Sequence, residues 1–528
     1  MLVERLVLFD APLSVVTVVV FGTLVFAVTY ILHIDYPTKV DVPVVGIGVR
    51  YTKWLAAVRN VWFARESIHE GYKKHGEFAF QIPTMTRMDV FICDREMTRE
   101  YYTLNDDHMS FRAVMSEEFQ FKSLLPGQLH NIRRIPNSVV AKALAWQRTR
   151  AGNPDDPFFK EFSSEFIHGF HEEMRPFLRG KGEDERCGWS SVPCFPLALK
   201  VIARLTMKSL FGEPLCRDIA FLDMCCRFGD AIPRDALILR LWPAWARPFL
   251  AKLLAAPRLV RNLQNTIYIE IGKRRDYREI NPMKDILDYS MDWADQHYKD
   301  SWDDWHVTDM MTNVIFAALH TSSQLVVHTI FELATRPEYI APLREEIELC
   351  IEENKLNTKR AIDTMYKLDS FIKETQRVNP LDASALARLA LKPYTFVNGL
   401  HIPRGTVIFT PNSPLFEDER FYEDPNRFDG FRFAKMRDDL KLKSSCDFTA
   451  TNEQSMHFGI GRHACPGRFM VSDEVKLAIL HLLRNFEISM ENFRPRPRNI
   501  PFGKFMLPNT YAKVWLRSRQ ITTDCNKR

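Results

Sequence analysis

One cysteine, Cys465, sits in the string Phe458-Gly459-Ile460-Gly461-Arg462-His463-Ala464-Cys465-Pro466-Gly467, inside a basic, glycine-flanked loop that opens onto a helix. This stretch constrains the fold most, because the backbone must bend tightly around the sulfur and still leave it approachable. Gly461 and Gly467 remove side chains that would obstruct that approach. Backbone N–H groups and the positive end of the following helix favour the ionised sulfur. A thiolate presented in this way suits a metal, and haem iron accepts cysteine thiolate as an axial ligand. In that reading Phe458, with Gly459 beside it, covers the proximal face. Arg462 and His463 then bring positive charge to the haem edge, where two propionates need partners. The plainer alternative is a buried structural cysteine in a glycine loop.

The length of 528 residues would suggest about three domains, yet no Gly/Ser-rich or low-complexity linker divides the chain. One large domain behind an N-terminal anchor fits better. With 46% hydrophobic and 12% aromatic residues there is material for a large core and an apolar pocket. A net charge of +5 is too small to argue for nucleic acid, so its use is local, on a face that meets an acidic partner. Ten scattered cysteines without CxxC or zinc-type spacing fit a reducing compartment. No N-x-[ST] sequon occurs, which agrees with a body that stays out of the secretory lumen.

Targeting information lies at the N-terminus. Ala11–Leu32 holds 22 residues without a charge, long enough to cross a hydrocarbon core as a helix. A cleaved signal peptide would have a shorter apolar stretch and a basic leader, whereas this leader carries Glu4, Arg5 and Asp10. Residues 1–34 therefore read as a membrane anchor. Lys39, Arg50, Lys53 and Arg59 outnumber the basic residues before the span, which puts the body in the cytosol. Pro37 and Pro43 make residues 35–50 a stiff, extended connector, and residues 51–528 form the catalytic body. Trp242 and Trp245, in the Leu241–Ala246 segment, suggest an interfacial loop.

Between connector and cysteine loop the pattern is mostly helical with small β-sheets. Helical periodicity marks Phe158–Leu178, Leu197–Leu210, Leu250–Ile271, His306–Thr335 and Leu343–Glu353. Alternation marks strands at 78–82 and 89–93. Gly180–Cys187 reads as a polar surface loop, and no internal repeat is visible.

Three ordered motifs together resemble the cytochrome P450 superfamily, over residues 37 to 500 or so. The cysteine string matches its F-x-x-G-x-x-x-C-x-G signature, with His463 where arginine is common. Glu374 and Arg377, in Phe371–Pro380, resemble the family's E-x-x-R, and Asp424-Pro425-Asn426-Arg427-Phe428 resembles its P-E-R-F. The resemblance implies that Arg427 joins Glu374 and Arg377 in a buried network that locks the cofactor-binding core. Phe316-Ala317-Ala318-Leu319-His320-Thr321-Ser322 resembles the family's A-G-x-D/E-T-T/S string. Thr321 then takes the place of the oxygen-handling threonine, while His320 replaces the acid. Two readings of His320 stand: a proton relay, or a structural imidazole turned from the pocket.

The same resemblance implies the cytochrome P450 fold, a haem b cofactor with Cys465 as axial ligand, and Arg388 reaching a propionate. Arg133, Arg134 and Lys142 are substitutes for the family's W-x-x-x-R arginine, which is not visible. Ser110–Met115, Phe316–Ala317, Asp382–Leu386 and Phe502–Met506 would line the pocket. The expected activity is insertion of one oxygen atom from O2 into a hydrophobic small molecule, a terpenoid or related fungal secondary metabolite. Electrons would come from NADPH through a separate cytochrome P450 reductase, at the endoplasmic reticulum membrane. Two other classes remain at this point: a haem-thiolate isomerase or dehydratase acting without O2, and a non-catalytic membrane haem-binding protein.

Overall fold

The computed structural model describes residues 22, 40–46, 53–125, 137–179, 188–240, 242–276, 284–297, 303–354, 358–439 and 442–519. The anchor segment (Gly22 apart), Arg133, Arg134, the Gly180–Cys187 loop and the two ends of the connector lie outside the described residues. The architecture is mostly helical with small sheets, as the sequence pattern requires. Its principal helices are α1 (Lys53–His75), α2 (Phe111–Glu118), α3 (Asn137–Gly152), α4 (Phe158–Arg179), α5 (Cys194–Phe211), α6 (Ile219–Arg240), α7 (Ala256–Asp276), α8 (Asp304–Thr335), α9 (Ile340–Glu353), α10 (Tyr366–Val378) and α11 (Arg468–Asn485).

The strands are β1 (Ala79–Pro83), β2 (Met88–Ile92), β3 (Met109–Ser110), β4 (Trp189–Pro193), β5 (Ser384–Ala390), β6 (Tyr394–Thr395), β7 (His401–Ile402), β8 (Val407–Pro411), β9 (Phe486–Met490), β10 (Ile500–Phe502), β11 (Phe505–Leu507) and β12 (Lys513–Ser518). They form a five-stranded sheet in the order β1-β2-β8-β5-β3, a three-stranded sheet β4-β12-β9, and the pairs β10-β11 and β6-β7. Among the described strands β2 and β8 pair in parallel and the other ladders are antiparallel, with one further parallel bridge from Val44 to Gln81 of β1.

Helix α8 is the spine. Asp303 caps it by accepting from the His306 N–H while the His306 ring bonds back to the Asp303 N–H, so two end donors are satisfied at once. Its first half, from Val307 to Leu319, packs into a core shared with α5, α6 and α7. Its second half, from Leu325 to Leu333, packs into a core shared with α4, α9, α10 and α11. Among the described residues α8 is the one helix long and apolar enough to span a membrane, and most of it is buried inside the protein. It is apolar all round because neighbours cover it on nearly every side.

Connector residues 40–46 bend at Asp41, Val42 and Gly46 and dock on β1: Gln81 N–H donates to the Pro43 carbonyl (2.8 Å), Val45 N–H to the Gln81 carbonyl (2.9 Å), and the Gln81 amide to the Val42 carbonyl (2.8 Å). The expected helix over Leu250–Ile271 is broken instead. A short helix ends at Ala251 and α7 starts at Ala256, with Pro257 in its first turn, where a missing N–H costs nothing. Helix α6 carries Pro233 within it, which hides its period in the sequence.

Candidate active site

The cysteine loop is held by its own backbone and by what packs under it. Cys465 N–H donates to the Phe458 carbonyl (2.6 Å), Gly459 N–H to Met456 (3.0 Å) and Ala464 N–H to Gly461 (3.1 Å). Gly459 and Gly461 sit at φ +69° and +65°, and a Cβ on Gly459 would lie 3.1 Å from the His463 carbonyl. Only glycine takes that conformation without strain. Burial pushes the Cys465 thiol above its ordinary range, while the Gly467 and Arg468 N–H groups and the Arg468 charge pull it down. These donors come from the first turn of α11, the anionic-ligand end of a helix. The other described cysteines are also free thiols, and among the described residues no cluster of three His, Cys, Asp or Glu side chains has metal-binding geometry.

Beneath the loop, Arg377 grips Glu374 with two parallel bonds of 2.8 Å and donates its remaining arm to the carbonyls of Phe416 (2.7 Å) and Pro425 (2.8 Å). The third member is Arg432, not Arg427. Arg432 Nε reaches both Glu374 oxygens at 3.3 and 3.2 Å, and its other arms take the carbonyls of Glu423, Asp424 and Arg427. The Arg427 side chain is exposed; only its carbonyl enters the network, towards Arg377 (3.4 Å) and Arg432 (3.0 Å). The expected arginine-phenylalanine pair recurs five residues on, in Gly430-Phe431-Arg432-Phe433, and that copy is the one whose arginine points inward. At Gly430 a Cβ would fall 2.6 Å from the Phe371 ring. A stack links the network to the approach of the cysteine loop: the Phe416 ring centroid lies 4.1 Å from that of His457, which precedes Phe458.

Arg388 is carried by β5 at a β-bulge. Ala385 pairs with Thr410 and Arg388 with Ile408, so Leu386 and Ala387 together oppose Phe409, and Leu386 takes φ +51°. A bulge re-aims the side chains that follow it. Arg388 is 1% exposed, its guanidinium donates from Nη1 to the Ala387 carbonyl (2.8 Å), and among the described residues Nε and Nη2 find no partner. Burial lowers its pKa. The ring of Phe111 lies 5.9 Å from this guanidinium and 6.1 Å from the His463 ring. His463 pairs through Nε2 with Asp106 (2.9 Å), while Nδ1 is buried and finds no partner among the described residues. Burial and the nearby Arg388 charge lower its pKa, against Asp106. Arg462, expected at the haem edge, instead spends its side chain on the carbonyls of Thr103 (3.0 Å) and Leu104 (2.8 Å). Lys142 is exposed, 5.9 Å from the Trp293 ring.

On α8, Ala317 and Thr321 are exposed although most of their helix is buried, so they share one accessible face. They lie one turn apart, and the Thr321 hydroxyl donates to the Ala317 carbonyl at 2.9 Å. His320 turns to α6 instead. Its Nε2 is 3.7 Å from Asp230, and a Cβ on Gly229 would sit 2.2 Å from that atom, so the imidazole occupies the room a missing side chain leaves. Phe316 meets Phe119, Phe121 and Phe228 with ring centroids 5.0, 5.9 and 6.1 Å apart. Those three partners come from separate elements, and nothing in their local sequence marks them.

A site with a cysteine loop, a buried guanidinium with two nitrogens unpartnered among the described residues, and an apolar wall is the haem-thiolate arrangement. The cytochrome P450 family profile matches residues 67–515. The cytochrome P450 monooxygenase terQ of Tolypocladium album is 65% identical over 98% of this chain and 96% of its own length. The monooxygenase ltmQ of Epichloe festucae var. lolii is 64% identical over 97% and 98% respectively. A cyanobacterial cytochrome P450 solved with retinoic acid bound shares the fold, at a TM-score of 0.66 and 16% identity over 91% of this chain and all of that one. The chain belongs to the cytochrome P450 family, whose members are haem-thiolate iron enzymes. Within that family it is a monooxygenase, which sets aside both the O2-independent isomerase and the non-catalytic haem binder.

Proposed function

We propose that Cys465 supplies the axial thiolate and that Arg388 and His463 hold the haem propionates. The observation that carries this reading is the pair of Arg388 nitrogens that find no partner among the described residues; His463 adds a donor beside them as the imidazolium, with Nε2–H on Asp106 and Nδ1–H turned to the propionate. A buried guanidinium lacking acceptors is costly, and a carboxylate answers both nitrogens at once. When bound, the haem supplies activation of O2 and transfer of one oxygen atom to an unactivated C–H or C=C bond. The chain's own part is to place and insulate. The Arg377 network fixes the floor of the loop, Phe316 and its aromatic neighbours exclude water, and Ala317 leaves space beside the Thr321 hydroxyl. At that space the Thr321 oxygen accepts from an incoming proton donor such as water, since its lone pairs stay free while its own hydrogen rests on the Ala317 carbonyl.

The substrate is hydrophobic, a terpenoid or related fungal secondary metabolite, in keeping with the apolar wall and with fungal relatives of the same class. Electrons come from a separate NADPH–cytochrome P450 reductase. Residues 1–34 anchor the protein in the endoplasmic reticulum membrane, 35–50 form the connector, and 51–528 the cytosolic catalytic body. Trp245, Phe249 and Leu253, exposed at 77, 68 and 68%, suit a second apolar contact with that membrane.

The test is turnover of candidate terpenoids by the full chain with reductase, NADPH and O2. A product heavier by one oxygen, formed only when O2 is present, is expected. Thr321→Ala should keep consuming NADPH while product per NADPH falls and peroxide rises. Cys465→Ala should lose the red-shifted carbonyl band of the reduced protein. Retention of that band in the cysteine variant would overturn the ligand assignment.

A further inference from the structure

A polar cluster buried behind the second half of α8 grips two segments that the sequence places along the pocket. Arg496 stands at its centre. It donates from Nε to Glu332 (2.6 Å), from Nη2 to Nδ1 of His328 (2.9 Å) and to the Asn379 side-chain oxygen (2.8 Å), and from Nη1 to Asn499 (3.0 Å). Asn379 closes the ring by donating to Glu332 (2.9 Å) and accepting from Asn499 (2.9 Å). Glu332, His328 and Asn379 are all buried. A ring nitrogen that accepts from a guanidinium carries no proton, so His328 is the neutral tautomer with its hydrogen on Nε2. Burial and the adjacent Arg496 charge, which hold its pKa near 3, agree.

That tautomer sets what the other edge of the ring does. Nε2 faces the Met506 carbonyl without closing a full hydrogen bond. Met506 belongs to β11, and its N–H donates to the Leu381 carbonyl (3.0 Å). Ala383 N–H donates to the Lys504 carbonyl (2.8 Å), and Asp382 bridges Phe505. The β10–β11 hairpin and the start of β5 are therefore one unit, and the Arg496 cluster ties it to α8. Thr321, Gln324 and His328 lie three and seven residues apart on one helix face, so His328 sits about 10 Å along the helix from Thr321.

We propose that Arg496 and His328 are positioning residues, which fix the distance of the β10–β11 hairpin and Leu381–Ala383 from the Thr321 face and so set how a bulky molecule presents itself to the reacting centre. Neither touches substrate. The proposal rests on the haem-thiolate reading for the location of that centre, but its test needs neither O2 nor reductase, so it can fail or succeed apart from the proposed oxidation.

The experiment titrates full-length haem-loaded protein with imidazole and with phenylimidazole, reading the Soret shift. In His328→Leu and Arg496→Gln, imidazole affinity should stay within about twofold, whereas phenylimidazole should weaken about tenfold, the loss expected when one positioning hydrogen bond goes. His328→Gln, whose amide can accept from Arg496 and donate towards Met506, should restore most of the phenylimidazole affinity. Equal changes for both probes, or no change for either, would overturn the proposal and leave the cluster a matter of stability alone. Arg496→Gln leaves Glu332 short of a cation; if it yields no haem-loaded protein, His328→Leu, in which Arg496 stays paired, decides.

Discussion

Two buried cationic clusters flank the cysteine loop, and they differ in how completely the protein satisfies them. Around Glu374, the Arg377 and Arg432 guanidinium groups meet carboxylate oxygens or carbonyls on every side, and Asp429 N–H adds a further bond to Glu374 (3.0 Å). Around Arg388, one nitrogen finds a carbonyl and two find no partner among the described residues. Equal burial with unequal satisfaction separates a framework from a binding site. A closed network is part of the fold, and an open one is completed by whatever it binds.

The comparison is most sharply tested by removing one member of the closed network. Arg377→Leu leaves the Glu374 carboxylate buried with too few partners, a loss of about 3–5 kcal/mol, so little or no haem-loaded protein should be recovered. A normal Soret band and an unchanged melting temperature would reduce the network to an incidental ion pair. In the open cluster the outcome differs in kind. Arg388→Met should still fold and bind haem, because no internal anion is stranded, yet haem should dissociate roughly ten- to a hundredfold faster for want of charged hydrogen bonds. The rate of haem transfer to apomyoglobin measures this, and a collapse like that of Arg377→Leu would erase the distinction.

A third buried charge sharpens the rule with pH. Glu474, on α11, accepts from Thr206 (2.8 Å), has Ser322 beside it without a full hydrogen bond, and is pushed up to about 7 by burial. A carboxyl whose folded pKa exceeds its unfolded value holds its proton better when folded. Its contribution is therefore greatest at low pH and is lost as pH rises from about 4.5 through about 7. Glu474→Gln cannot titrate. Relative to the parent it should gain stability on going from pH 5.5 to pH 8, on the order of 1–3 kcal/mol, seen in the urea midpoints at the two pH values. A constant difference would mean that Glu474 stays paired throughout. The smallest effect separates the two arginines that the sequence alone confuses. Arg427→Ala should change stability by less than about 0.5 kcal/mol, as for other surface substitutions, because the carbonyl it lends to the network survives. Arg432→Leu should behave like Arg377→Leu.

That confusion shows where reading the chain stops. Glu374 and Arg377 are three residues apart on one helix, so local periodicity alone makes them neighbours. Arg427 and Arg432 both precede a phenylalanine in the same irregular stretch. Which of them turns inward depends on how residues 423–433 wind over α10, and no local period reports that. The break between Ala251 and Ala256 has the same origin, since an apolar run reads as continuous helix whether or not the chain bends within it. Arg388 was legible as a candidate, but the bulge at Leu386 that aims it is a property of pairing with β8. Thr321 was placed by its string, whereas the turning of His320 towards Gly229 and Asp230 required a second helix.

By itself, then, the sequence determined what short-range chemistry determines: a cysteine between glycines at a helix mouth, a carboxylate and guanidinium one turn apart, a hydroxyl on an apolar helix, and with them the class of cofactor. The tertiary structure decided which buried donors were satisfied and which found no partner among the described residues. It also chose Arg432 over Arg427 and bound the β10–β11 hairpin to α8 through Arg496. Those outcomes depend on partners tens to hundreds of residues away, and a buried polar group acquires its meaning only from the partners that folding brings within about 3 Å of it.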